Sequence, residues 1–376
     1  MKIGIMTFWW SEDNYGQLLQ CFALQKYLRD AGHDAYLIRY DPRNDYYKTP
    51  FWKKVLKAFN PVKLFKFLSY KNRKRNDKLE KQNNPRSFED FRNKYIKQSE
   101  KIYYSYQELK ENPPEADVYI VGSDQIWNWI PPVNYVINIL NAYLLNFGDA
   151  SIKRISYAAS FGKEQLDEVS ISIFSALLKN FDYVSVREKS GIEICRKCGV
   201  SDAEWVPDPT MLLEKDVYRF LYKNEFIKKP EKPYCLLYML GNECNYSIQL
   251  VYDWAKKMNL EVIYITGNLK HDKYEKYYAT IPEWIYLTEH AEYVITNSYH
   301  CSVFSFVFKK KFGVIPLEKH DAGMNNRFDA LFQLFEIQER YIKSDLSVIN
   351  DDINWLSISE KFEEIKNNCK LKNILN

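Results

Sequence analysis

The chain has 376 residues, 46% hydrophobic and 16% aromatic, with a formal net charge of +4. That length suits two domains of roughly 150–200 residues each, with enough apolar sequence for sizeable cores. The mild charge gives no ground for a nucleic-acid partner, and 12 Gly against 30 Tyr excludes collagen-like and low-complexity classes.

No segment reaches the ~18 consecutive apolar residues of a membrane span. Residues 1–7 read as a strand, without the apolar core and small-residue cleavage site of a signal peptide. Seven cysteines in no framework spacing point to reduced thiols and a cytoplasmic protein. Cys195 and Cys198 form a lone CxxC with no second pair and no His pair at zinc spacing, so no metal site is expected.

In chain order, residues 1–8 are a strand, residues 9–17 a loop, and a helix follows to about Asp30. Its face is Leu18, Cys21, Phe22, Leu24 and Leu28, near the 3.6-residue period. A second strand follows at 33–40. This is a Rossmann-type opening, but only Gly16 lies in the loop, so no nicotinamide or flavin cofactor is indicated. Asp13, Asn14, Tyr15 and Gly16 face the carboxyl edge, where a substrate can lie.

Residues 48–84 interrupt the rhythm. Trp52, Val55, Leu56 and Phe59, then Leu64, Phe65 and Leu68, alternate with lysines. Such a segment either lies on an anionic membrane surface or packs on its own domain with its lysines solvated. Residues 85–112 read as further helix. A strand at 117–122 ends in Ser123-Asp124-Gln125-Ile126-Trp127, polar groups plus one tryptophan. That set suits a sugar, unless Trp127 packs into the core. Strands at 154–160 and 183–187 follow. Arg187 ends the second, either to hold an anion through its fork or to pair with Glu188.

Residues 205–209, with two prolines, read as a hinge between domains 1–208 and 209–376. Strands are expected at 234–240 and 261–266, with a helix at 244–258 between them. The segment 291–315 is the centre of the reading: strand, turn at Asn297 and Ser298, helix, strand. His300 falls in the first helical turn past a strand's carboxyl end, where free N–H groups bind anions. There it either donates to an anion or passes a proton, or it merely caps the turn. A polar loop with Lys319 and Arg327 leads to another helix, and 355–368 is a final amphipathic helix that can pack back. The class is α/β, two Rossmann-like domains facing one cleft.

The chain resembles the polysaccharide pyruvyl transferase family over nearly its whole length. The markers are Asn14-Tyr15-Gly16, residues 122–128 (GSDQIWN), residues 185–191 (SVREKSG), Asp208-Pro209-Thr210, Ser298-Tyr299-His300 after Asn297, and Asn325-Asn326-Arg327. The resemblance implies a GT-B-like fold and phosphoenolpyruvate as co-substrate, with no separate cofactor. It implies pyruvate transferred as a ketal onto two hydroxyls of a sugar for capsule, exopolysaccharide or cell wall, often on a polyprenyl diphosphate at the inner membrane. Arg187 and His300 match donor positions, and Lys319 or Arg327 a further basic one. Many members carry an Arg-Leu-His type sequence at the histidine. Here Ser298-Tyr299-His300 lacks that basic residue, so another must supply the charge.

The roles expected on this basis are as follows. His300 is the acid or the stabiliser of the leaving phosphate, and Asp13 or Asp124 is the base. Arg187, Lys319, Arg327, Ser298 and Asn297 bind the donor. Asn14, Tyr15, Gly16, Ser123, Gln125 and Trp127 bind the acceptor. The rival on the same architecture is a glycosyltransferase using a nucleotide sugar, and a saccharide- or membrane-binding module is the non-catalytic alternative.

Overall fold

The computed structural model describes residues 1–42, 78–128, 134–241, 246–267, 272–317, 323, 325–342 and 345–375. Lys319 and most of the basic stretch 48–84 lie outside them.

The strands are β1 (Lys2–Met6), β2 (Asp34–Tyr40), β3 (Gln98–Tyr103), β4 (Val118–Val121), β5 (Lys153–Ser156), β6 (Ser185–Val186), β7 (Glu204–Trp205), β8 (Tyr234–Leu240), β9 (Glu261–Gly267), β10 (Tyr293–Thr296) and β11 (Lys311–Val314). The helices are α1 (Tyr15–Asp30), α2 (Phe88–Tyr95), α3 (Tyr106–Glu111), α4 (Asn134–Tyr143), α5 (Glu168–Leu178), α6 (Lys189–Lys197), α7 (Lys215–Lys223), α8 (Ile248–Lys257), α9 (Ile281–His290), α10 (Tyr299–Val307), α11 (Asn326–Leu334), α12 (Trp355–Asn367) and α13 (Leu371–Leu375).

Two parallel sheets result, in the orders β3-β2-β1-β4-β5 and β11-β10-β8-β9. The short β6–β7 pair continues the first through single bridges from Ile155 to Tyr183 and from Ala159 to Val186. Each sheet has its first strand inside it, so chain order reverses there, and a crevice opens at the carboxyl ends on either side of β1 and β8. The central strands are buried on both faces and read as continuous apolar runs, as parallel strands do.

Local chemistry sets the helix starts at this edge. Asn14 caps α1 by accepting from Gln17 N, and Ser298 caps α10 by accepting from Cys301 N. Thr280 and Glu283 close a reciprocal capping box on α9.

One apolar core runs through both halves, joining Ile3, Tyr15 and Leu24 to Leu236, Trp284 and Phe304. Tyr15 stacks on Trp284 at 5.2 Å, and its hydroxyl donates to Ala279 O at 2.7 Å. Such a stacked pair is worth about 0.5–1.5 kcal/mol beyond its buried area. The C-terminal helices reach the first half too: Lys153 Nζ donates to Ile374 O at 2.6 Å, and Lys370 pairs with Glu204.

Residues 85–112 are not one helix. They form α2, the strand β3 and α3, because QSEKIY is a half-exposed edge strand without apolar alternation. No helix among the described residues is long and apolar enough to cross a membrane. The same residues contain no group of three His, Cys, Asp or Glu that could hold a metal ion.

Candidate active site

Asp208 is the hub. It sits between Pro207 and Pro209 and caps a short 3-10 turn (Pro209–Met211). Thr210 donates to its Oδ1 twice, from the backbone N at 3.0 Å and from Oγ1 at 2.7 Å. Oδ2 accepts from Ser123 Oγ at 2.6 Å and from Arg187 Nη1 at 2.9 Å. His300 Nε2 lies 3.3 Å from the same oxygen. Asp208, Ser123, Arg187 and His300 are all buried. The first half thus supplies a hydroxyl and a guanidinium from strand ends, and the second supplies an imidazole from a helix start.

Burial alone would raise the Asp208 carboxyl. His300, Arg187 and the Ser123 hydroxyl outweigh it and hold its pKa well below the usual carboxylate range. Burial likewise opposes the Arg187 charge, but Glu188 and Asp208 prevail and keep it above the ordinary arginine value.

Arg187 is only partly used by these contacts. Nη1 also donates to Ser123 Oγ at 3.1 Å, whereas Nε and Nη2 are buried without a hydrogen-bond partner in the described structure. His300 Nε2 makes no aligned hydrogen bond either. Buried unpaired donors cost about 1–3 kcal/mol each, more when charged. Arg187 Nε and Nη2 therefore keep donor capacity that these contacts do not use.

Arg327, at the start of α11, brings a second guanidinium. Arg187 Cζ stands 4.5 Å and Arg327 Cζ 5.9 Å from the centre of the buried Tyr299 ring. The Arg327 pKa is pushed down to about 10, first by burial and then by Arg187. The charges of Glu188 and Asp124 act the other way on Arg327, so two guanidinium groups and these carboxylates share one buried neighbourhood. The basic residue missing beside His300 thus has a counterpart: Arg327 reaches the Tyr299 ring from another helix.

Asp124 joins this group through its charge, which acts on both arginines. It is buried at φ +84°, a strained conformation for a non-glycine residue. Glu188 is also buried. Ser160 Oγ donates to its Oε1 in a short bond, and Oε2 has no partner. Burial raises the Glu188 pKa despite the opposing pull of Arg187 and Ser160.

The other expected residues have different duties. Trp127 is fully buried among Phe161, Phe174 and Phe181, and its indole donates to Tyr143 O at 3.1 Å. It is a core residue with no face for a sugar. Ser123 is fully buried between Asp208 and Arg187 and has no open acceptor surface. Gln125 is half-buried, accepts from Asn128 Nδ2 at 2.9 Å, and packs against Gly162.

Asn297 spends both ends of its amide on Leu240, accepting from N at 2.7 Å and donating to O at 2.9 Å. It ties the end of β10 to the end of β8, and Ser298 caps α10 with its hydroxyl. Asp13 faces Lys81 at 3.4 Å and Ser11 Oγ at 3.4 Å. Among the described residues no bond joins it to the arginines or His300. Asn14 is a half-buried cap, and Tyr15 is a fully buried seam residue with no open acceptor surface.

Gly16 has a steric reason. A Cβ there would fall 2.3 Å from His300 Nδ1 and 2.5 Å from His300 Cβ. The first turn of α1 therefore packs on the first turn of α10, and only glycine leaves room. Gly16→Ala should cost about 1–3 kcal/mol by overpacking. It should also lower turnover by displacing the His300 imidazole, which thermal unfolding measured beside turnover checks. Unchanged stability and turnover would contradict this contact.

Sequence reasoning did not single out Asp208 or Glu188. Asp208 stood in a marker and in an expected hinge, and Glu188 stood in the marker 185–191 and as a partner for Arg187. The available signal was an aspartate between two prolines at the domain junction.

Three comparisons bear on this chain. The model of the polysaccharide pyruvyl transferase family matches residues 14–318. No curated protein matches. Among solved structures, the chain is similar to the UDP-GlcNAc 2-epimerase from Neisseria meningitidis bound to UDP-GlcNAc, at 11% identity, TM-score 0.47 and 100% coverage of both chains. It is similar to the S. aureus MnaA–UDP co-structure at 11% identity and TM-score 0.49, covering 100% of this chain and 98% of that one. It is similar to Arabidopsis thaliana UGT89C1 complexed with UDP-L-rhamnose at 9% identity and TM-score 0.47, covering 97% and 94%. Those scores say nothing of what this chain binds. The family match covers well over half of the sequence, and it includes Asp208, Arg187 and His300: the chain belongs to the polysaccharide pyruvyl transferase family.

Proposed function

We propose that the protein moves pyruvate from phosphoenolpyruvate onto two hydroxyls of one sugar as a ketal, during assembly of a bacterial surface polysaccharide. In this reading the acceptor is carried on a polyprenyl diphosphate at the inner face of the cytoplasmic membrane. The observation that carries the donor is Arg187, buried with Nε and Nη2 unpartnered beside Arg327 and the α10 N-terminus. A compact polyanion needs this combination of short-range guanidinium groups and helix N–H groups.

The chemistry follows from the residues. His300 protonates the methylene carbon of phosphoenolpyruvate, and C2 becomes an oxocarbenium-like centre. One sugar hydroxyl attacks C2, phosphate leaves with the electron pair of its C–O bond, and the second hydroxyl closes the ketal. One hydroxyl proton leaves with phosphate and the other restores His300. The Asp208 carboxylate, 3.3 Å from Nε2, steadies the charge of the imidazolium. The two arginines hold the carboxylate and phosphate of the donor, and neither a metal nor a redox cofactor enters these steps.

The test is phosphate release from phosphoenolpyruvate in the presence of glycan-lipid acceptors, with nucleotide sugars supplied in parallel. Release that depends on acceptor supports the reading. Transfer from a nucleotide sugar, with phosphoenolpyruvate inert, would overturn it.

A further inference from the structure

Two neighbouring residue pairs meet at the seam of the halves: Arg187-Glu188 at the end of β6, and Asn326-Arg327 at the start of α11. Both arginines lie against Tyr299. Their neighbours, Glu188 and Asn326, instead line a pocket of about 220 Å³, together with Lys189, Ser190, Asp329, Ala330 and Gln333. Each pair thus contributes one group to the donor cage and one to the adjoining space.

The pocket is smaller than the ~300–1,000 Å³ of drug-sized sites, which suits a single sugar unit. Its wall carries carboxylates, a hydroxyl, amides and the Lys189 ammonium, which bonds to Gln333, while Asn326 donates to Glu164 and Asp329 accepts from Tyr341. Glu188 is the most deeply buried of them, at 3% exposed, and its Oε2 has no partner. Glu188 thus holds a buried acceptor without a donor just behind the wall of this polar pocket, where a small shift of the side chain brings it to a hydroxyl.

We infer that the acceptor sugar lies in the pocket between α6 and α11, where Glu188 takes the proton of its attacking hydroxyl. This rests on the donor site proposed above. As the sugar oxygen bonds to C2, its proton passes to the Glu188 carboxylate. As the C2–O bond to phosphate breaks, Glu188 returns that proton to the departing oxygen. The second hydroxyl then attacks C2 and its proton goes to His300, replacing the one spent on the methylene carbon. Burial of Glu188 supports the shuttle, because a carboxylate raised in pKa is a stronger base toward the hydroxyl proton.

The experiment uses the full chain saturated with phosphoenolpyruvate and a set of methyl glycosides of glucose, galactose, mannose and N-acetylglucosamine. Saturation-transfer NMR should show contact with at least one of them. Ala330→Trp, which fills the pocket, and Gln333→Trp, which blocks its solvent-exposed rim without touching the core, should each abolish that contact. Calorimetric binding of phosphoenolpyruvate should stay within about threefold of wild type in both. Glu188→Gln, which keeps the bond to Ser160, should retain donor and glycoside binding while phosphate release falls by roughly 10²-fold or more. The inference is overturned by contact with no glycoside, by contact unchanged in both tryptophan variants, or by phosphate release from Glu188→Gln at the wild-type rate. Failure of phosphoenolpyruvate to bind the wild type would overturn the donor reading and this inference together, and calorimetry alone tells that case from the others.

Discussion

Asp208→Ala is expected to destabilise the protein by about 3–5 kcal/mol and to leave no measurable turnover. The magnitude is that of breaking a buried ion pair by removing one member. Arg187 would lose the carboxylate 2.9 Å from its Nη1, and His300 the one 3.3 Å from its Nε2. Thr210 would also lose the acceptor for its N–H and hydroxyl. Because those groups come from both halves, the loss should spread across the seam rather than stay local.

The pH dependence has a definite sign. The folded pKa of Asp208 lies below its unfolded value of about 3.9. Its contribution is therefore present in full above that value and lost as pH falls through the folded pKa. The stability gap between wild type and variant should be constant from about pH 5 upward and narrow in acid. Denaturant unfolding across pH checks both points. A gap below about 1 kcal/mol at neutral pH would mean that Asp208 does not hold the site together.

The second large effect belongs to His300. His300→Ala should lower turnover by roughly 10²–10⁴-fold, the usual worth of a positioned acid or base. Binding of phosphoenolpyruvate should survive, since Arg187 and Arg327 remain. That split, a fall in kcat with the donor Kd little changed, identifies a group that acts in the transition state rather than one that only binds. Near-normal turnover would sink the assignment. A collapse of donor binding with kcat intact would make His300 a ligand for the anion only.

Much of this was legible in residue order. The strand, cap and helix of 291–315 are local matters: β-branched residues, a serine at the N-cap, then apolar helical spacing. So His300 lands in the first turn of α10 as its neighbours dictate. Arg187 at a strand end was legible for the same reason. What residue order could not give was the meeting of distant segments. Nothing near Gly16 says that a histidine 284 positions away fills the space of its missing side chain. Nothing near Asp208 says that three segments will bring it Ser123, Arg187 and His300.

Trp127 erred in the other direction. A tryptophan after a polar turn suits a sugar, but its placement was decided by Phe161, Phe174 and Phe181 from later in the chain. The strand at Gln98–Tyr103 was missed because an edge strand need not alternate. Its pairing with β2 is a tertiary fact.

The central claim is that Arg187 heads a site built for phosphoenolpyruvate, and calorimetric titration of wild type and Arg187→Ala tests it without knowledge of the acceptor. The account predicts saturable binding by the wild type, weakened at least about 30-fold in the variant, since a desolvated charge-assisted contact is worth about 2–5 kcal/mol. Saturable binding of equal strength in both proteins, or binding of a nucleotide sugar in place of phosphoenolpyruvate, would contradict it.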